Sequence, residues 1–72
     1  MKKIKKIKIK VNGKVKSIND NSKISDLVRN LRIPMKKVAI ELNEEIIDKK
    51  NISKIGLKKD DKIEIVHFIG GG

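Results

Sequence analysis

Between Lys6 and Val11 the chain reads KIKIKV, lysine and β-branched aliphatic in strict alternation, and Asn12-Gly13 follows at once. Successive strand residues point to opposite faces, so Ile7, Ile9 and Val11 form an apolar face while Lys6, Lys8 and Lys10 form a solvated one. Asn-Gly is a strong hairpin signal because both positions tolerate the positive φ that a two-residue turn requires. Val15 and Ile18 continue on a return strand, and Asn19-Asp20-Asn21-Ser22 ends it. The chain therefore opens with a β-hairpin that has one face to bury.

The period then changes. Ile24, Leu27, Val28 and Leu31 stand at i, i+3, i+4 and i+7, the stripe of an amphipathic helix. Ser22 is the expected N-cap, Asp26 complements the positive end of the helix, and Pro34 is expected to stop it. Val38, Ile40 and Leu42 alternate again, and Asn43-Glu44 turns the chain into Ile46-Ile47. Asp48 to Gly56 reads as an irregular crossover with one 3₁₀ turn. Lys59-Asp60-Asp61-Lys62 is a polar turn before a final strand, KIEIVHF, from Lys62 to Phe68. One helix after a hairpin, lying on a mixed sheet of four or five strands, is an α+β arrangement of β-grasp type. The predicted core is Ile7, Ile9, Val11, Val15, Ile24, Leu27, Val28, Leu31, Val38, Ile40, Leu57, Ile63 and Ile65.

Seventy-two residues make one domain, read as 1–68 with a tail at 69–72. A chain this short buries only about 60% of its unfolded surface and has little room for a walled substrate pocket. A binding or carrier role is expected rather than catalysis. Apolar residues make up 38% and are spread along the chain, which argues against disorder. Nothing approaches a membrane-spanning run, and MKKIKKIKIK lacks the apolar block and cleavage site of a secretory signal. With no cysteine there is neither a disulfide framework nor a thiol nucleophile, and the cytoplasm is the expected compartment. The net charge of +10 is unevenly placed: residues 1–16 hold eight lysines and no acid. That basic edge reads either as a solvated strand face or as a site for an acidic partner or nucleic acid.

After Phe68-Ile69 come Gly70, Gly71 and Gly72, three of the five glycines in the chain. A glycine tail adds nothing to a core, but it presents a carboxylate on the thinnest stem a peptide can make. Ionised at neutral pH, such a carboxylate can attack the α-phosphate of an ATP held by another protein, giving an acyl-adenylate. A sulfur or amine nucleophile can then displace AMP. A sulfur carrier without a thiol must carry its sulfur as a terminal thiocarboxylate. On this reading Gly72 is the expected reacting residue, with Gly70 and Gly71 threading a partner's channel; the other reading of the same three glycines is a frayed end or a cloning remnant.

Three stretches resemble the ThiS family of sulfur carriers: Lys8-Ile9-Lys10-Val11-Asn12-Gly13, Val38-Ala39-Ile40-Glu41-Leu42-Asn43, and Asp61 through Gly72. The resemblance implies a ubiquitin-like β-grasp fold and a ThiF-like enzyme that adenylates Gly72 with ATP, the chain holding no cofactor of its own. It also implies sulfur transfer to make a thiocarboxylate and delivery to thiazole synthase; the expected donor is a protein such as a cysteine desulfurase, and the free chain is expected to be monomeric. The family usually has glycine after Asn43 and before Asp61, where this chain has Glu44 and Asp60. Glu tolerates left-handed geometry poorly, so the turn at Asn43-Glu44 is expected to differ in type. A molybdopterin-synthase small subunit of MoaD type, or a ubiquitin-related modifier that conjugates to lysine or serves tRNA thiolation, would share both fold and tail.

On the last strand, Ile63, Ile65 and His67 share one face, leaving Val66 and Phe68 on the other beside Ile69 and the tail. Val66, Phe68 and Ile69 form the expected docking patch for the activating enzyme; a bulge near Phe68 would instead turn that ring into the core. His67 has no nucleophile that the sequence places beside it, so it is assigned no catalysis. Asp60, Asp61 and Glu64 do not match a calcium loop and read as turn-capping carboxylates, with no metal expected. A nucleic-acid module is the rival from another class. Its lysines could neutralise phosphates, but the hairpin has no aromatic residue for base stacking and no arginine for base edges.

Overall fold

Both central residues of the first turn, Asn12 (φ 50°) and Gly13 (φ 84°), take left-handed geometry. That turn joins strand β1 (Lys6–Val11) to β2 (Lys14–Asn19) in antiparallel register, from Val11 opposite Lys14 to Lys6 opposite Asn19. The computed structural model describes residues 5–67. Helix α1 (Ile24–Asn30) follows, then a 3₁₀ turn at Met35–Lys37, β3 (Val38–Leu42), β4 (Glu45–Ile47), a second 3₁₀ turn at Lys49–Asn51, and β5 (Lys62–His67). The sheet order is β2-β1-β5-β3-β4, with β1 and β5 parallel and the other neighbours antiparallel. This is the expected β-grasp, with five strands.

The core lies between α1 and one face of that sheet. Ile9, Ile18, Ile24, Leu27, Val28, Val38, Ile40, Leu57, Ile63 and Ile65 are buried, and Ile7, Val11 and Leu31 pack against them half-buried. Val15 is the exception to the predicted core: it is 64% exposed, and Ile18 is buried in its place. Three positions apart on a strand, the two side chains must face opposite ways. Ile18 lies opposite Ile7 on the helix-covered face; Val15 lies opposite Lys10 on the outer one.

Both helix ends also depart from expectation. Lys23, not Ser22, holds the N-cap position, and Asp26 reaches back to accept a hydrogen bond from the Lys23 N–H at 2.8 Å. The Ser22 hydroxyl instead donates to the Asn19 carbonyl, and its own carbonyl accepts from Leu57 N–H at 2.7 Å. At the other end the helix stops before Pro34 can act. Arg32 takes a left-handed φ of 56°, and the Arg32 and Ile33 N–H groups return to the Arg29 and Val28 carbonyls. That pair of bonds is the Schellman closure, built here without glycine.

The turn at Asn43-Glu44 corrects another expectation. Asn43 (φ 51°) and Glu44 (φ 73°) are both left-handed, and Leu42 faces Glu45 across a two-residue loop. This is the I′ geometry of Asn12-Gly13, kept although glutamate stands where glycine would be unstrained. Asp60 likewise takes a φ of 69°.

Candidate functional site

Strand β5 carries the chain toward its glycine end, and the sheet holds β5 on both sides. On one side it runs parallel to β1, with Lys62 beside Lys10 and Ile63 beside Val11. On the other it pairs with the whole of β3, from Leu42 opposite Ile63 to Val38 opposite His67. Where β1 turns away, the Asn12 side chain takes over the ladder: its Oδ1 accepts from Ile65 N–H at 2.7 Å. Asn43 does the same at the start of β5. Its Oδ1 accepts from Lys62 N–H at 2.9 Å, and its Nδ2 donates to Asp61 Oδ1 at 3.1 Å. Each I′ turn thus spends its first residue on fixing the strand that leads to the tail.

Asp61 is structural, as its turn position predicts. Besides the contact to Asn43, its Oδ2 accepts from Lys58 N–H at 2.8 Å, which closes the turn into β5. Asp60 and Glu64 are exposed.

The outer face of the sheet lies opposite the helix. On it Val66 is 47% exposed and stands beside Ala39, near the end of β5. Ile46, 78% exposed on edge strand β4, sits opposite Glu41 and one diagonal step from Ala39. Sequence reasoning found Val66 but not Ile46 or Ala39, which only the strand register brings alongside it. Phe68, Ile69, Gly70, Gly71 and Gly72, expected to complete the patch and the tail, lie outside the described residues. His67 is exposed at the strand end, opposite Val38. An open groove of about 440 Å³ between β2 and α1 is floored by Ile18 and Leu27 and rimmed by Lys6, Lys16 and Asn30. Among the described residues no helix is long and apolar enough to cross a membrane.

A central strand paired on both sides, with an exposed apolar spot near its end and a glycine run following in the sequence, defines a small β-grasp domain. Comparison with known proteins makes that class specific. The ThiS family profile matches residues 9–72, through to the last glycine. Sulfur carrier protein ThiS of Bacillus subtilis (strain 168) is 43% identical over 65 residues, covering 89% of this chain and 98% of that protein. The crystal structure of the thiamine biosynthesis protein ThiS from Geobacter metallireducens superimposes with a TM-score of 0.80 at 26% identity, covering 92% of this chain and all of that one. The chain belongs to the ThiS family. A thiazole synthase of Paramagnetospirillum magneticum is 35% identical over 66 residues; the match takes in 92% of this chain but spans only 20% of the synthase.

Proposed function

We propose that this chain carries sulfur on Gly72 for thiazole formation in thiamin biosynthesis. A Gly72 carboxylate oxygen attacks the α-phosphate of ATP in a ThiF-like partner. The bond from that phosphorus to pyrophosphate breaks, leaving an acyl-adenylate. Hydrosulfide, freed by a thiol reductant from the persulfide of a donor such as a cysteine desulfurase, then attacks the carbonyl carbon and expels AMP. One carboxylate oxygen is thereby replaced by sulfur, and the thiocarboxylate is the species delivered to thiazole synthase. ATP is bound by the partner throughout; this chain needs no cofactor of its own.

The observation that carries the reading is the family match, which extends from residue 9 to Gly72. The thiazole synthase relatives support the acceptor, because a fifth of each aligns with nearly the whole of this chain. In this reading Val66, with Phe68 and Ile69 beyond it, forms the docking patch, and Gly70 and Gly71 thread the partner's active site.

The test is intact mass after incubation with ATP, a ThiF-like enzyme and a sulfide source. Replacing one oxygen by sulfur adds about 16 Da, and a chain lacking Gly72 should gain nothing while melting at the same temperature, because a glycine tail contributes no side-chain packing. Sulfur loading of the truncated chain would refute the mechanism. A full chain that never gains the mass would point instead to a conjugating modifier or a basic binding module.

A further inference from the structure

The outer sheet face is divided by charge in a way that costs the fold and serves nothing inside it. Lys6, Lys8 and Lys10 project from β1, all exposed, and Lys62 of β5 stands directly beside Lys10 in the parallel register. Neighbouring strands lie only about 4.8 Å apart, so these ammonium groups repel one another. Across β1 on the other side the partners on this face are Asn19, Ser17 and Val15, none of them acidic. Among the described residues none of the four lysines makes an ion pair; Arg29 with Asp26, on the helix, does. Next along the sheet comes an acidic row, Glu64 directly opposite Glu41, again like beside like. Beyond that row lie Val66 and Ala39. Walking along β5 toward the tail therefore crosses a basic zone, an acidic zone and an apolar zone in turn.

The basic zone is also hollow. Lys8, Lys10 and Lys62, together with Ile9, Val15 and one carboxylate, Asp60, line an open depression of about 410 Å³. Exposed Val15 gives that depression an aliphatic wall amid cations. Its shape and chemistry suit an acidic protein segment that carries one aliphatic side chain.

We propose that this lysine hollow receives an acidic surface of the activating partner and steers it onto the outer face, with the Glu41–Glu64 row fixing which way round it lands. The inference rests on the carrier reading above and adds the chemistry of the partner's contact. Nucleic acid fits less well for two reasons on this face. A phosphate chain lying across the sheet would have to pass the acidic row, whereas a folded protein can present both signs. All the cations are lysines, compact point charges suited to steering, and the bidentate phosphate fork of arginine is missing from the ladder. Steering of this kind raises association rates about 10- to 1,000-fold and fades as salt screens it.

The experiment is stopped-flow association of the full chain with a ThiF-like enzyme, run from about 50 mM to about 500 mM salt, a range over which the screening length falls well below the width of the patch. A Lys8→Ser/Lys10→Ser/Lys62→Ser variant should associate at least about tenfold more slowly at low salt, converge with the parent at high salt, and keep the same dissociation rate, because rim charges act mainly on encounter. The matching lysine-to-arginine variant should restore the rate. Since like charges are being removed, the serine variant should melt at or above the parent temperature, which separates lost steering from lost folding. Equal, salt-indifferent rates for both proteins would overturn the inference, as would tighter binding of the parent to single-stranded RNA than to the enzyme at about 150 mM salt, where phosphate contacts are already weakened. A parent that gains no sulfur refutes the carrier reading and its assigned partner together. A parent that loads sulfur while the serine variant, at subsaturating enzyme, loads it equally fast at every salt concentration refutes this inference alone.

Discussion

Exchanging Glu44 for glycine should stabilise the domain, and the matching exchange at Gly13 should destabilise it. Both residues occupy the second position of a two-residue turn, with φ of 73° at Glu44 and 84° at Gly13. A residue with a Cβ pays about 1–2 kcal/mol for left-handed geometry. Glycine gives part of that back through its greater freedom in the unfolded chain, about 0.4–1 kcal/mol. Glu44→Gly should therefore gain about 0.5–1 kcal/mol. Gly13→Ala should lose a similar amount, and purely through the backbone, since a Cβ built at Gly13 meets nothing within 4 Å. The double variant should return close to the parent, because the two turns lie on different hairpins and share no partner. Urea unfolding followed by circular dichroism reads these differences, and a domain of this size should shift its melting point by about 4 °C for such changes. Glu44→Ala is the charge control: it keeps the strain and removes the carboxylate, so it should leave stability nearly unchanged. If Glu44→Ala stabilises as much as Glu44→Gly, the effect is electrostatic and the argument from turn geometry fails.

Three further outcomes follow from the contacts around β5 and the core. Asn12→Gly keeps the left-handed turn but removes the acceptor of the Ile65 N–H, so stability should fall by about 1–3 kcal/mol, with faster hydrogen exchange at the Ile65 amide; an unchanged exchange rate would show that the side-chain bond does not hold the strand. Ile18→Ala should cost about 2–4 kcal/mol in urea unfolding, while Val15→Thr, on the opposite face, should stay within about 0.5 kcal/mol. Val66→Asp should weaken binding to a ThiF-like enzyme roughly tenfold in a titration without lowering the melting point, and an equal loss of folding would remove Val66 from the docking patch.

The parts of this fold legible in the sequence are those written in local period. The alternation before Asn12-Gly13 and the helical spacing of Ile24, Leu27, Val28 and Leu31 each state a buried face, and both faces meet in the core. Val15 shows the limit of hydrophobicity without phase: strand geometry forbids it and Ile18 from sharing a face, and the pairing of Ile7 with Ile18 decides between them. Ser22 looked like a cap by residue type, but its carbonyl is committed to Leu57, and the first helical turn is completed by Asp26 instead. The asparagine clamps on β5 were illegible for a different reason. They join residues 53 and 19 positions apart, and nothing local to Asn12 or Asn43 says that a distant strand will need an acceptor there. At the site, the glycine end and Val66 are read directly from the chain, while the charge zoning of the outer face exists only once five strands have been set side by side.

The placement of β5 in the middle of the sheet has a mechanical consequence. Tension applied through the C-terminal end of the chain is borne along the strand axis, where the bonds to β1 and the five residue pairs shared with β3 are loaded in shear and must give way together. An edge strand, by contrast, can be peeled away one bond at a time. A partner that grips and draws on the tail therefore pulls the domain along its most resistant direction, and the body can stay folded while its end is worked on.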